Sequence, residues 1–316
     1  MSKPSLTTIS VRFRGVRGST PSPGPRTARY GGNTACVELR AGDEILILDA
    51  GSGIRALGVD LLAEFGPRPI KATLLISHTH WDHIQGFPFF TPAFSTKNHI
   101  RILAPKGAGA TLKRALSTQM DPIHFPVGLD QMAGFNGIEE LLSDKVSLGA
   151  FAVQVTQLNH PGSCAGFRIE TKGGSLAYLP DHEPFEDGPL SARESSSAQE
   201  RTDALVEFVR DVDLLILDTQ YTAAEYRQRR TWGHGCLPDS VSLALNAGVR
   251  QLALFHHDPG HEDGHIDAML ESARKLARPS ALVVRGASEN EVIELRRIEA
   301  PAQGAPLGHL VKSAAA

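Results

Sequence analysis

The sequence predicts an α/β fold with two β-sheets. Short β-rich runs separated by turn residues fill the first half, and a second series of closely spaced runs begins near residue 146. Apolar strands repeatedly end on polar, chemistry-bearing residues that precede a helical segment. At 316 residues, with 41% hydrophobic and 21% charged content, the chain can bury a full core. No clean linker and no long internal repeat divides it. One domain is therefore expected over residues 1–300, with the Ala/Gly/Pro-rich segment 301–316 as a frayed tail.

The elements follow in order. Ile9–Phe13 alternates like a strand, and a Gly/Pro-rich loop separates it from Thr34–Leu39 and Glu44–Leu48, a hairpin turning at Arg40-Ala41-Gly42-Asp43. Ile54–Phe65 has helical apolar spacing, and Ala72–Ile76 reads as a buried strand. Ile100–Ala104 is a strand, Ala108–Gln119 a helix, and residues 120–137, with two prolines, read as irregular. Val146–Leu148, Phe151–Leu158, Gly166–Glu170 and Ser175–Leu179 supply the second sheet. The polar, Ser-rich stretch 182–202 reads as a surface loop before a helix over Ala204–Arg210. Leu214–Leu217 and Gln251–Phe255 are strands, with a helix over Pro238–Ala247 between them.

Composition narrows the function. Lys plus Arg number 32 against 35 Asp plus Glu, which excludes a globally basic surface for nonspecific nucleic-acid binding. Cys36, Cys164 and Cys236 are widely spaced and form no CxxC pair, as suits reduced thiols. The N-terminal residues lack an apolar leader, and no stretch of membrane-spanning length is apolar throughout. A cytoplasmic location without membrane contact is expected.

The chemistry concentrates in SHTHWDHIQG, residues 77–86. His78 and His80 are two apart after a strand, so an extended backbone points both side chains the same way and lets them share a cation. Asp82 and His83 follow where the chain turns, offering ligands to a second position nearby. Two ions about 3.5–4 Å apart form a hydrolytic clamp, and imidazole with carboxylate suits zinc first, with manganese or iron as alternatives. A lone histidine or an HxH pair would not support this reading. The full HxHxDH order does.

HTHWDH at 78–83 resembles the motif of the metallo-β-lactamase superfamily, and the resemblance extends over roughly residues 9–296. It implies a four-layer αββα sandwich, two mixed β-sheets flanked by helices, with two metal ions at one edge. On that resemblance His160 in NHPGSC matches the third histidine of the first metal, and Asp181 in LPDHEP matches the bridging aspartate. His256 in ALFHHDP matches the last histidine of the second metal, ahead of His257 and Asp258. The full implied set is His78, His80, Asp82, His83, His160, Asp181 and His256. The segment from TWGHG to FHH resembles the ribonuclease Z-like branch, which assigns His234 a catalytic role opposite the metals, as proton donor or oxyanion stabiliser. The nucleophile would be the hydroxide of a metal-bridging water, oriented by Asp82. Asp49 resembles a buttress of the metal loop, and Glu183 and Tyr221 adjoin motif residues they are expected to support. His261 and His265 read as a solvated loop or helix start, and His99, His124, His182 and His309 carry no functional support.

An aspartate at the bridging position, the ribonuclease Z-like segment and the arginines around the glycine-rich loop tilt the substrate toward a phosphodiester. Arg17 and Arg29 are the candidate substrate-binding residues there, beside Arg14 and Arg26. The span from His160 to Asp181 holds one hairpin and no projecting arm, so a small or cyclic phosphodiester is expected and tRNA is not. Rival readings on the same site are a lactone, ester or thioester hydrolase and a non-catalytic metal-dependent sensor. A homodimer rests on the resemblance alone.

Overall fold

The computed structural model describes residues 6–141, 143–187 and 196–298; the expected tail and His309 lie outside the described residues, as does 188–195 of the Ser-rich stretch. The first sheet contains β1 (Leu6–Gly15), β2 (Cys36–Ala41), β3 (Glu44–Leu48), β4 (Lys71–Leu75), β5 (His99–Ala104) and β6 (Phe135–Glu140). The second contains β7 (Lys145–Leu148), β8 (Phe151–Gln157), β9 (Ala165–Thr171), β10 (Gly174–Leu179), β11 (Leu214–Asp218), β12 (Gln251–Phe255) and β13 (Val283–Gly286). β14 (Val292–Ile298) returns to the first sheet and pairs with β1, giving seven strands in each. Both sheets are mixed in the same way. Pairing is antiparallel from β14 through β1 and β2 to β3 and parallel from β3 to β6. It is likewise antiparallel from β7 to β10 and parallel from β10 to β13.

Strand alternation builds the layers. In β3, Leu46 and Leu48 enter the core between the sheets, whereas Ile45 and Ile47 pack beneath α1 (Ile54–Phe65) and α3 (Gly109–Gln119). In β12, Ala253 and Phe255 face the inter-sheet core, and Leu252 and Leu254 pack beneath α6 (Leu237–Asn246) and α7 (Asp263–Leu276). The order is helix, sheet, sheet, helix, as the resemblance implies. Each such Leu or Ile contributes about 1.5–3 kcal/mol on burial, and a one-residue slip would turn both faces the wrong way. Phe87 and Phe90 belong to the core under α1.

Two expectations need correction. Residues 135–140 are not irregular but form the edge strand β6, whose pairing to β5 shifts register between Ile100 and Ile102 and whose Gly137 has φ 101°. That irregularity erased the alternation a sequence reading needs. The helix expected from 204 is α4 (Ala198–Phe208), which starts earlier because Ser197 and Glu200 form a reciprocal capping box.

Candidate metal centre

The site assembles from strand ends of both sheets. β4 delivers His78, and His80 at φ −64°, ψ 150° keeps the backbone extended, so the two rings sit 4.6 Å apart. The short helix α2 (Trp81–Ile84) then turns Asp82 and His83 into the interior. His160 follows β8, Asp181 follows β10, and His256 follows β12. His256 sits at φ 59°, a conformation uncommon outside glycine that bends the chain sharply at the strand end.

These side chains form two overlapping groups. Potential ligand atoms of His78, His80, His160 and Asp181 lie within 4.8 Å of one another, and so do those of Asp82, His83, Asp181 and His256. Asp181 belongs to both. Its Oδ1 is 3.0 Å from His83 Nε2 and 3.3 Å from His256 Nε2. Its Oδ2 is 3.6 Å from Nε2 of both His78 and His160. One oxygen thus addresses each group, the disposition a carboxylate needs to bridge two cations.

Buried atoms without partners test the fit. Among the described residues, His78 Nε2 and Asp181 Oδ1 are buried and make no hydrogen bond. Leaving such a group unsatisfied costs about 1–3 kcal/mol, more for a charged one, and a cation at each group removes that cost. The donor set of imidazoles and carboxylates fits two divalent ions.

The far sides of three rings are held. His83 Nδ1 lies 2.8 Å from Asp49 Oδ2, and Asp49 also accepts from Ser77 N–H at 2.7 Å and Tyr178 O–H at 2.8 Å. His160 Nδ1 donates to Gly233 O at 2.7 Å, and His256 Nδ1 donates to Gln220 Oε1 at 2.9 Å. Each contact fixes a tautomer that leaves Nε2 directed into the cage. Glycines permit the approach: a Cβ at Gly18 would lie 2.4 Å from the His256 ring, and one at Gly233 2.3 Å from His160 Nδ1. Ser19, beside Gly18, donates its backbone N–H to Asp82 Oδ2 at 2.8 Å.

Electrostatics divides the groups. Burial lowers His78 well below the ordinary imidazole value and also lowers His80 and His160. Burial also opposes charge on His83 and His256, yet there the carboxylates prevail. Asp181, Asp82 and Asp49 raise His83 well above its ordinary value, and Asp181 with Asp82 raises His256 to about 9. Asp82 and Asp181 stay well below the usual carboxylate range because neighbouring imidazoles outweigh their burial.

His234 flanks the cage at its open side. Its Nδ1 lies 3.1 Å from Asp218 Oδ2 and 3.8 Å from Asp181 Oδ2. Glu183 shapes the loop that carries it, accepting from the N–H groups of Thr231 at 2.6 Å and Gly233 at 2.8 Å. Tyr221 packs edge-on to the His234 ring, 5.9 Å between centroids. Sequence reasoning missed Asp218 and Gln220. Asp218 was detectable as the carboxylate ending the apolar run 214–217; Gln220 carried no signal.

Residues 45–257 match the family model described as the β-lactamase superfamily domain. The chain belongs to the β-lactamase superfamily. Within the superfamily it is similar to ribonuclease Z of Thermoplasma acidophilum, 24% identical over 301 residues that cover 84% of this chain and 91% of that one. Two solved structures share the fold. Human tRNase Z, short form, superposes with a TM-score of 0.59 at 20% identity, covering 90% of this chain and 99% of that one. Unliganded yeast PDE1 superposes with a TM-score of 0.66 at 14% identity, covering 90% and 99%. The expectation against tRNA gains no support from relatives with these names.

Other expected site residues of this superfamily chain lie elsewhere. Arg17 is fully buried and donates through Nε and Nη1 to the carbonyls of Gly31, Asp258 and His261, so its guanidinium clamps backbone, while its Nη2 is buried without a hydrogen bond. Arg29 grips Asp267 through both terminal nitrogens, at 2.8 and 2.6 Å. Arg14 pairs with Glu38 and Asp60, and Arg26 with Glu262. The glycine-rich loop meets the site through the backbone N–H of Ser19, and its arginines contact backbone carbonyls or carboxylates. His257 points away, Nε2 2.9 Å from Ala287 O, and Asp258 lies outside both groups. Cys36, Cys164 and Cys236 are free and buried. Among the described residues, no helix is long and apolar enough to cross a membrane.

Proposed function

We propose that this chain is a two-metal phosphodiesterase acting on a small or cyclic, nucleotide-like phosphodiester in the cytoplasm. The observation that carries the reading is Asp181, whose two oxygens face two separate imidazole groups while His234, backed by Asp218, borders the open side. The names ribonuclease Z and PDE1 among its relatives support the substrate class.

His78, His80, His160 and Asp181 would hold one divalent ion, and Asp82, His83, Asp181 and His256 the other, zinc first. Bound there, such ions supply Lewis acidity to a phosphoryl oxygen and acidify water. The protein supplies the rest. Asp82, fixed by Ser19 N–H and 3.0 Å from His256 Nε2, orients the attacking water and takes its proton. His234, with Nδ1 engaged by Asp218, presents Nε2 to the departing oxygen and donates a proton to it. The hairpin β9–β10 fills the whole span between His160 and Asp181, which favours a small substrate.

The test is a chelator-stripped, metal-reloaded protein offered an activated phosphodiester, a cyclic nucleotide, a tRNA precursor, a lactone and a thioester. Metal-dependent cleavage of the phosphodiesters with the tRNA precursor untouched is the expected result. Turnover of lactone or thioester alone overturns the phosphodiesterase reading. Inactivity on all five with metal bound overturns catalysis itself.

A further inference from the structure

A third group of ligating side chains stands apart from the cage. Glu225, His261 and His265 place a carboxylate oxygen and two imidazole nitrogens within 4.8 Å of one another. They come from three elements: the short helix α5 (Ala223–Tyr226), the loop after β12, and the first turn of α7. The sequence suggests a solvated loop or helix start for both histidines; His265 does stand exposed in the first turn of α7, whereas His261 is buried and its ring stacks on His265 at 3.7 Å between centroids and 9° between planes.

Two of the three donors are anchored. Glu225 Oε2 accepts from Thr222 N–H at 2.8 Å and Thr222 O–H at 2.7 Å, which leaves Oε1 facing His261 Nε2 at 2.8 Å. The His261 carbonyl accepts from Arg17 Nη1 at 2.6 Å, so a fully buried guanidinium fixes the loop. His265 is exposed and stacked on His261, with a ring nitrogen within 4.8 Å of the ligand atoms of the other two. Two imidazoles and one carboxylate, with the solvent side left for water, is a donor set zinc accepts in tetrahedral sites.

We propose that Glu225, His261 and His265 bind a third divalent cation of the zinc class, which pins α5, the loop after β12 and α7 together. The cation is structural. Its loop bears on the cage through Asp258, whose Oδ2 accepts from Gln220 Nε2 at 3.3 Å, while Gln220 Oε1 holds His256 Nδ1. The proposal does not depend on the phosphodiesterase reading.

Equilibrium dialysis of the stripped full chain against zinc, with metal and protein quantified together, tests it. The wild type is expected to hold three ions and the His265→Ala protein two, with hydrolytic activity retained and zinc raising its Tm less than that of the wild type. His265 is exposed, so its removal leaves the fold intact; Glu225→Gln provides a second variant expected to hold two. Asp181→Asn separates this reading from the previous one, because an ion at the third group survives it. Equal zinc counts in wild type and His265→Ala, or an Asp181→Asn protein holding none, overturns the proposal.

Discussion

The two halves of the cage around Asp181 are built differently. His78, His80 and His160 stand at the open half, where His80 is exposed and burial, joined by the neighbouring imidazoles, depresses the three rings. His83, His256 and Asp82 form the sealed half, where carboxylates raise the imidazoles against burial and both rings are braced from behind. The open half is neutral and accessible, suited to exchange and to meeting a substrate. The sealed half is ionic and rigid, suited to keeping what it binds. Desolvation opposes charge on the imidazoles of both halves; carboxylate placement makes the difference.

Removing the shared element should cause the largest effect. Asp181→Asn takes the bridging charge from both halves at once, so activity is expected to fall to that of the stripped protein and both cage ions to be lost on dialysis. Retention of one cage ion would show that the halves are independent and that the carboxylate is no bridge. Next comes His234→Ala, expected to lower kcat by about 10²–10⁴-fold, the usual worth of a positioned proton donor, with both cage ions kept. Loss of an ion instead would place His234 among the ligands rather than opposite them.

The halves also differ in how legible they were. HTHWDH announced candidate ligands of both in six residues, because an extended HxH followed by a turn has a distinctive local geometry. His160, Asp181 and His256 were found through strand ends and family resemblance, and the two sheets through alternation such as that of β3. What escaped was tertiary. Arg17 looks like a phosphate ligand in sequence, yet Gly31 of the glycine-rich loop and His261 of the loop after β12 close over it and use it as a clamp. β6 was hidden by its register shift, and Gln220 reaches His256 only because β11 and β12 are neighbours. Contacts between residues tens of positions apart leave no periodic trace.

A narrower change sharpens the contrast. Asp49→Asn removes the charge behind His83 while asparagine tolerates the φ of 60° found there. Metal titration is expected to show about 10–100-fold weaker binding in one of the two cage sites, the usual cost of losing such a brace, with the other unchanged. Equal weakening of both would mean that the division into halves is only geometric.

The smallest effect tests the claim that carboxylates, rather than depth, set charge in the sealed half. His256 and His257 are adjacent and equally buried, yet His256 is raised to about 9 while burial, opposed only by its bond to Ala287 O, pushes His257 down to about 3. His257 is therefore neutral in the folded chain where the unfolded chain, with an ordinary value of 6.5, takes up a proton. Its contribution to stability is full above 6.5 and is lost as pH falls from there toward about 3, at about 1.4 kcal/mol per pH unit. Denaturant unfolding of the wild type and His257→Gln across that window should give a shallower pH slope for the variant, by close to one proton. Identical slopes would mean that His257 carries charge at the same depth as His256, and that burial without a nearby carboxylate does not keep an imidazole neutral here.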